Sequence, residues 1–167
     1  MVVNLQEFFD YKNRLMHDLL TNEKIVNLIA PDIEFEDAES LAYKQVYPFE
    51  YIPEVIENGY TYVCFDVDIT STYNKTFYEP TLYVWVMVQD SQLRLPTGGV
   101  RVDMLCSEIC KAINGSRYYS LGELNFDSCR RFSVVTRYTG KALTFRGKDY
   151  NRQHDGKKFV PSNRKEQ

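Results

Sequence analysis

Histidine is almost missing from these 167 residues: there are two, His17 and His154. His17 falls on the polar side of an amphipathic segment beside Asp18, and His154 lies near the C-terminus. That leaves little from which to build a serine–histidine or cysteine–histidine catalytic pair, which needs an imidazole oriented by a third group. Long apolar runs are missing too. The longest uncharged one, "TLYVWVMVQ" at 81–89, is too short to cross a bilayer. The start "MVVNLQEFFD" has neither a basic n-region nor a continuous apolar stretch, so no signal peptide is read there. Net charge is small, -3, and unevenly placed. After Tyr150 five basic residues face two acidic ones, a net of +3, which leaves -6 for Met1–Tyr150. An acidic body with a short basic end lacks the concentrated basic face that phosphate contacts require. Glycine-rich phosphate-loop chemistry is missing as well. "TGGV" at 97–100 has no Gly-Lys-Ser/Thr partner and reads as a flexible entry to a helix.

What the chain does have is a globular balance, 44% hydrophobic against 26% charged, and many aromatics: thirteen tyrosines, ten phenylalanines and one tryptophan. Such rings favour strands and protein interfaces. The four cysteines, Cys64, Cys106, Cys110 and Cys129, are expected as free thiols of a protein made in a reducing cytoplasm.

Periodicity predicts the elements. "NLQEFFDYKNRLMHDLL" carries Phe8, Tyr11, Leu15 and Leu19 on one helical stripe, with Phe9, Met16 and Leu20 beside it. Asn4 and Glu7 make a capping box. "NEKIVNLIA" predicts a second helix stopped by Pro31, and "PDIEFEDAES" an acidic surface loop. "YTYVCFDVDIT" alternates Val63, Phe65, Val67 and Ile69 against Tyr62, Cys64, Asp66 and Asp68. A loop through "STYNKTFYEP" leads to a strand alternating Leu82, Val84, Val86 and Val88 against Tyr83, Trp85 and Met87. Both faces of that strand are apolar and need cover. "VRVDMLCSEICKAING" places Val102, Leu105, Cys106, Ile109, Cys110 and Ile113 on one stripe, ended by Gly115. Further strands are expected at "GELNFDS" and within "VVTRYTGKALTFRG". The order predicts an α+β domain over 1–150: a mostly antiparallel sheet, an N-terminal helix pair, and one helix packed on the sheet. An acidic and aromatic arm spans 31–59 within it, and 151–167 is a basic, flexible tail.

Two groupings invite chemistry. Asp66 and Asp68 share a strand face and can hold a divalent metal or divide acid–base roles, as in a small metal-dependent enzyme, or can lie on a solvated strand end. Cys106 and Cys110 stand one helical turn apart, as two zinc ligands would, but also lie on the apolar stripe where cysteine packs as a small hydrophobe. Neither grouping completes a site, so no enzyme, cofactor or metal is expected.

"VYPFEYIPEV" at 46–55 remains. Pro48 and Pro53 keep it extended, and Tyr47, Phe49 and Tyr51 alternate along it as on a sheet edge, with rings free for the chain's own core or for another molecule. This stretch ("KQVYPFEYIPEV" from Lys44), with "YTYVCFDVDI", "YNKTFYEPTLYVWVMV", "LPTGGVRVDMLCSEICKAINGS" and "YTGKALTFRGKDYN", resembles the neck proteins of tailed bacteriophages, in particular the tail-terminator or tail-completion proteins. The similarity, one of segment order and phrasing, runs from about Lys44 to Asn151. The resemblance implies a virion protein without catalytic residues. It would form a homo-oligomeric ring, a hexamer by family resemblance, bound to the tail-tube protein and to a head-connector or head-closure protein. DNA would only pass through its channel, and no membrane would be involved. An adjacent head-closure or adaptor protein of the neck is the alternative, as is a host interaction module of similar fold. Tyr47, Phe49, Tyr51, Tyr62, Tyr83, Trp85 and Met87 are the residues expected at interfaces.

Overall fold

The computed structural model describes residues 5–52, 60–71, 77–133 and 137–150. Three helices, α1 (Leu5–Thr21), α2 (Glu23–Ile29) and α3 (Arg101–Ile113), pack on one face of a sheet. Its strands are β1 (Val46–Tyr47), β2 (Thr61–Ser71), β3 (Phe77–Gln89), β4 (Asn125–Ser133), β5 (Tyr138–Arg146) and β6 (Asp149–Tyr150). They lie in the order β1-β2-β3-β5-β4, with β6 continuing the β5 side of β3. Among the described strands only the short β1–β2 pair is parallel. This is the α+β architecture the patterns predict. No helix among the described residues is long and apolar enough to cross a membrane.

The period-2 and period-3.6 stripes meet in one core. Val63, Phe65, Leu82, Val84, Val86, Val88, Leu143 and Phe145 point from the sheet toward the helices. Tyr11, Leu15 and Leu19 of α1, Ile25, Val26 and Ile29 of α2, and Val102, Leu105, Ile109 and Ile113 of α3 close over them. The Asn22 side chain caps α2 by accepting from the Ile25 N–H at 3.3 Å. Arg101 ties α2 to α3: its guanidinium donates to the carbonyls of Leu28 at 2.8 Å and Gln92 at 2.9 Å.

Three boundaries differ from the patterns. The acidic stretch is not all loop: Phe35–Leu41 forms a 3-10 helix that buries Ala38 and Leu41, a short helix whose acidic residues face out. β2 runs to Ser71 and β3 begins at Phe77, so both ends of the expected loop are strand and Pro80 lies within β3, while 72–76 lie outside the described residues. Pro80 is tolerated because its missing N–H falls in the gap where β3's partner changes from β5 to β6, with Gly147 N donating to its carbonyl at 2.9 Å. The strand expected at "GELNFDS" starts later and runs longer, at Asn125–Ser133. Gly122 there has φ +73, a left-handed turn conformation, and its α-carbon faces the Lys148 carbonyl where no β-carbon fits. The proposed cap at Asn4, Pro53 of the arm and the tail 151–167 lie outside the described residues.

Candidate interaction surface

The sheet's second face has no helix over it among the described residues. Its rows follow from the register. Tyr62 faces Met87 and then Gly140; Cys64 faces Trp85 and then Ala142; Asp66 faces Tyr83 and then Thr144. The apolar rows therefore lie toward the β1 end of β2, and polarity rises along β2 toward Asp66 and Asp68.

A lid of rings from the arm covers the apolar end. Tyr47 lies in β1 beside Cys64 and stacks on Tyr51 at 4.0 Å and 11°. Tyr51 and Tyr138 flank Tyr62 at 5.8 and 6.0 Å. The Cys64 thiol reaches the Tyr51 carbonyl at 3.6 Å, and burial pushes that thiol up to about 12. Burial likewise raises the Tyr47 hydroxyl to about 12, with Tyr51 beside it adding to the effect, and raises Tyr62 further. The Tyr138 hydroxyl is buried facing that of Tyr62 without a hydrogen bond of normal geometry. Shielded this way, Tyr62 and Met87 are enclosed by their own chain, 5% and 2% exposed. They differ in this from the other expected interface residues, because the arm supplies a cover that a strand pattern alone cannot reveal. Tyr83 and Trp85, stacked at 5.8 Å, stay half-buried, as do Tyr47 and Tyr51. Phe49 is exposed, and so are Tyr43, Ile52 and Tyr60 around the same edge.

The paired carboxylates part company. Asp66 is held by α1: Lys12 Nζ lies 3.1 Å away, Tyr11 donates its hydroxyl at 3.2 Å, and Val67 N–H donates at 2.9 Å. Burial and this carboxylate push the Tyr11 hydroxyl far up. Asp68 is exposed. His17 is exposed on α1.

Cys106 and Cys110 of α3 meet Cys129 of β4 at the far edge of the sheet, a convergence that sequence spacing left open. Together with Phe126, Leu143 and Lys141 they line a groove of about 510 Å³ between α3 and β4. Cys106 is buried, and its thiol is pushed up to about 12 by burial, then by the neighbouring Cys129 thiol. Cys64 sits on the opposite face of the sheet. Among the described residues no three or more His, Cys, Asp or Glu side chains group so as to hold a metal ion. The groove is the surface that sequence reading missed, and Ile52 adds to the expected edge of Tyr47, Phe49 and Tyr51. The hint of the groove was the pair Cys106 and Cys110 on the predicted α3 stripe.

A family model described as YomW matches residues 13–146. The chain belongs to the YomW family. The YomW match runs from within α1 to the end of β5, so it includes the arm, the lidded face and the groove. Among solved structures, the chain is similar to a chain titled "Virion of native gene transfer agent (GTA) particle", at 15% identity and a TM-score of 0.44, over 80% of this chain and 90% of that one. No functional conclusion follows from a likeness that loose. No curated protein matches this YomW-family chain.

Proposed function

We propose that this YomW-family chain is a structural protein of a phage particle, a tail terminator of the neck that works as a homo-oligomeric ring. In this reading it assembles in the host cytoplasm, stops the tail tube, and joins it to the head connector or head-closure protein, with DNA passing through the channel. The observation that carries the reading is the face of the sheet that bears no helix among the described residues. Its lid leaves Tyr83 and Trp85 half-buried and presents Phe49 and Ile52 to solvent. Large rings left half-buried or exposed at a partly lidded sheet face are the material of subunit contacts, where aromatic anchors contribute most of the binding energy. A ring subunit must offer such surface to its neighbours after completing its own core, and this core is complete on the helix side. The resemblance of the segments from Lys44 to Asn151 to neck proteins adds to this reading. The acidic body suits a channel that must let DNA slide, because like charge weakens phosphate contacts.

The test is co-assembly. Purified chain is mixed with the tail-tube and head-connector proteins of the phage that encodes it, and complexes are imaged by electron microscopy. Rings capping the ends of tail tubes are expected. Binding to the connector alone would move the assignment to the adjacent head-closure or adaptor position. Binding to neither would reject a role in the neck.

A further inference from the structure

The two edges of the sheet are opposite in shape and charge. At the β1 edge the chain projects Phe49, 42% exposed, and Ile52, 56% exposed. The turn leading into that edge carries Asp32, Glu34, Glu36, Asp37 and Glu39, all exposed, with no basic residue between Pro31 and Lys44. At the β4 edge the features invert. The α3–β4 groove of about 510 Å³ has apolar walls, and its volume falls in the range typical of binding pockets, about 300–1,000 Å³. Phe126 stands at its mouth, 44% exposed, with the exposed Cys129 beside it. Arg131 projects from the same strand on the groove's side of the sheet, exposed, while Arg130 points to the other face; Lys111 and Lys141 also line the groove and are ion-paired with Glu108 and Asp103.

A projecting apolar segment with acidic surroundings and an apolar groove with Arg131 exposed at its edge are complementary. One copy cannot use both on itself. The strand order puts four inter-strand steps between β1 and β4, roughly 19 Å at about 4.8 Å per step. Two different patches at opposite edges are what a head-to-tail contact needs, and such a contact closes into a ring when its rotation permits.

We propose that the groove between α3 and β4 receives the Phe49–Ile52 segment of a second copy of this chain. The acidic stretch of the incoming copy then lies near Arg131, and the contact repeats around the oligomer. This rests on the ring reading above and specifies which surfaces make the ring. Charge complementarity of this kind fixes register and suppresses wrong pairings.

The native thiol in the groove gives a direct test. Ile52→Cys is made in the full chain, and Phe49→Cys in parallel in case loss of Ile52 weakens the contact. Each is treated with oxidised glutathione, which takes two electrons and two protons from a thiol pair and leaves two reduced glutathiones. Peptide mass spectrometry then maps the disulfides, while light scattering gives the mass of the unsubstituted chain. The expected result is a ladder of covalent oligomers joining the introduced thiol to Cys129 of another copy. Adding Cys129→Ser should abolish the ladder, and adding Arg131→Glu should reduce it about tenfold. An unsubstituted chain that is oligomeric, with neither variant linking to Cys129, would overturn this contact and leave the ring reading standing. Links only between two Cys129 thiols would likewise overturn it. A monomeric chain with no links would overturn both.

Discussion

Tyr47→Ala removes the middle of the lid and tests whether the arm really closes the second face. The Tyr47 ring stacks on Tyr51, meets Phe49 at 5.5 Å and Tyr62 at 6.4 Å, and its hydroxyl donates to the Lys44 carbonyl at 3.1 Å. Truncating a fully buried large aromatic costs about 3–5 kcal/mol. Tyr47 is half-buried, so about half of that applies, roughly 2 kcal/mol, including its aromatic pairing. The readout lies directly beneath. Cys64 is 0% exposed under the lid, and its thiol reacts only when the lid lifts. A loss of about 2 kcal/mol from that local opening converts to roughly 30-fold faster labelling, since about 1.4 kcal/mol is tenfold. Relief of the burial that holds the thiol near 12 pushes the same way. Iodoacetamide labelling followed by peptide mass spectrometry reads Cys64 separately, with exposed Cys129 as the internal reference, and urea unfolding gives the global stability. Cys64 labelled at the unsubstituted rate, with an unchanged unfolding midpoint, would show that the arm does not cover this face.

Other expectations are simpler. Gly147→Ala puts a β-carbon 2.1 Å from the Leu121 carbonyl oxygen and 3.0 Å from Pro80, so it should cost about 2–3 kcal/mol in urea unfolding; a cost near zero would contradict the packing at the β5–β6 break. Arg101→Met strips the Leu28 and Gln92 carbonyls of a charged donor while keeping the aliphatic stem, and should cost about 2–3 kcal/mol by the same assay; an unchanged midpoint would mean that solvent satisfies those carbonyls. Burial raises the Cys64 and Cys106 thiols from 9.0 to about 12, so their contribution to stability is complete below pH 9 and is lost as pH rises toward 12. Unfolding followed between pH 8 and 12 should show that decline, and a double Cys64→Ser, Cys106→Ser variant should show a smaller one; equal slopes would mean that other groups cause it.

How far the sequence reached depends on which interactions are local. Helices α1–α3 and strands β2, β3 and β5 were legible because their stripes are set by side chains three, four or two residues apart, and all of those stripes bury against one core. The starts of β3 and β4 were not. They depend on a glycine held left-handed at Gly122 and on a proline placed in a ladder gap by Gly147, both defined by residues distant in sequence. The apolar second face was legible in Tyr83, Trp85 and Met87, and the arm at its edge in Tyr47, Phe49 and Tyr51, yet how far those rings cover the face was not, because they lie some forty positions earlier in the chain. From its strand position alone Asp66 could be a ligand or a solvated carboxylate; its partners Lys12 and Tyr11 come from a helix more than fifty residues away. The groove escaped notice for the same reason, since Cys129 joins Cys106 only once β4 pairs with β5.

Self-association through surface left over after the core closes is the claim on which the functional reading rests. Light scattering of the full chain at the outlet of a size-exclusion column, from low to high micromolar concentration, tests it most directly, with Phe49→Asp run alongside. The account predicts a single closed multimer of the 19.6 kDa chain that Phe49→Asp reduces to folded monomer by circular dichroism. A mass of 19.6 kDa at every concentration, the same for both proteins, would contradict it.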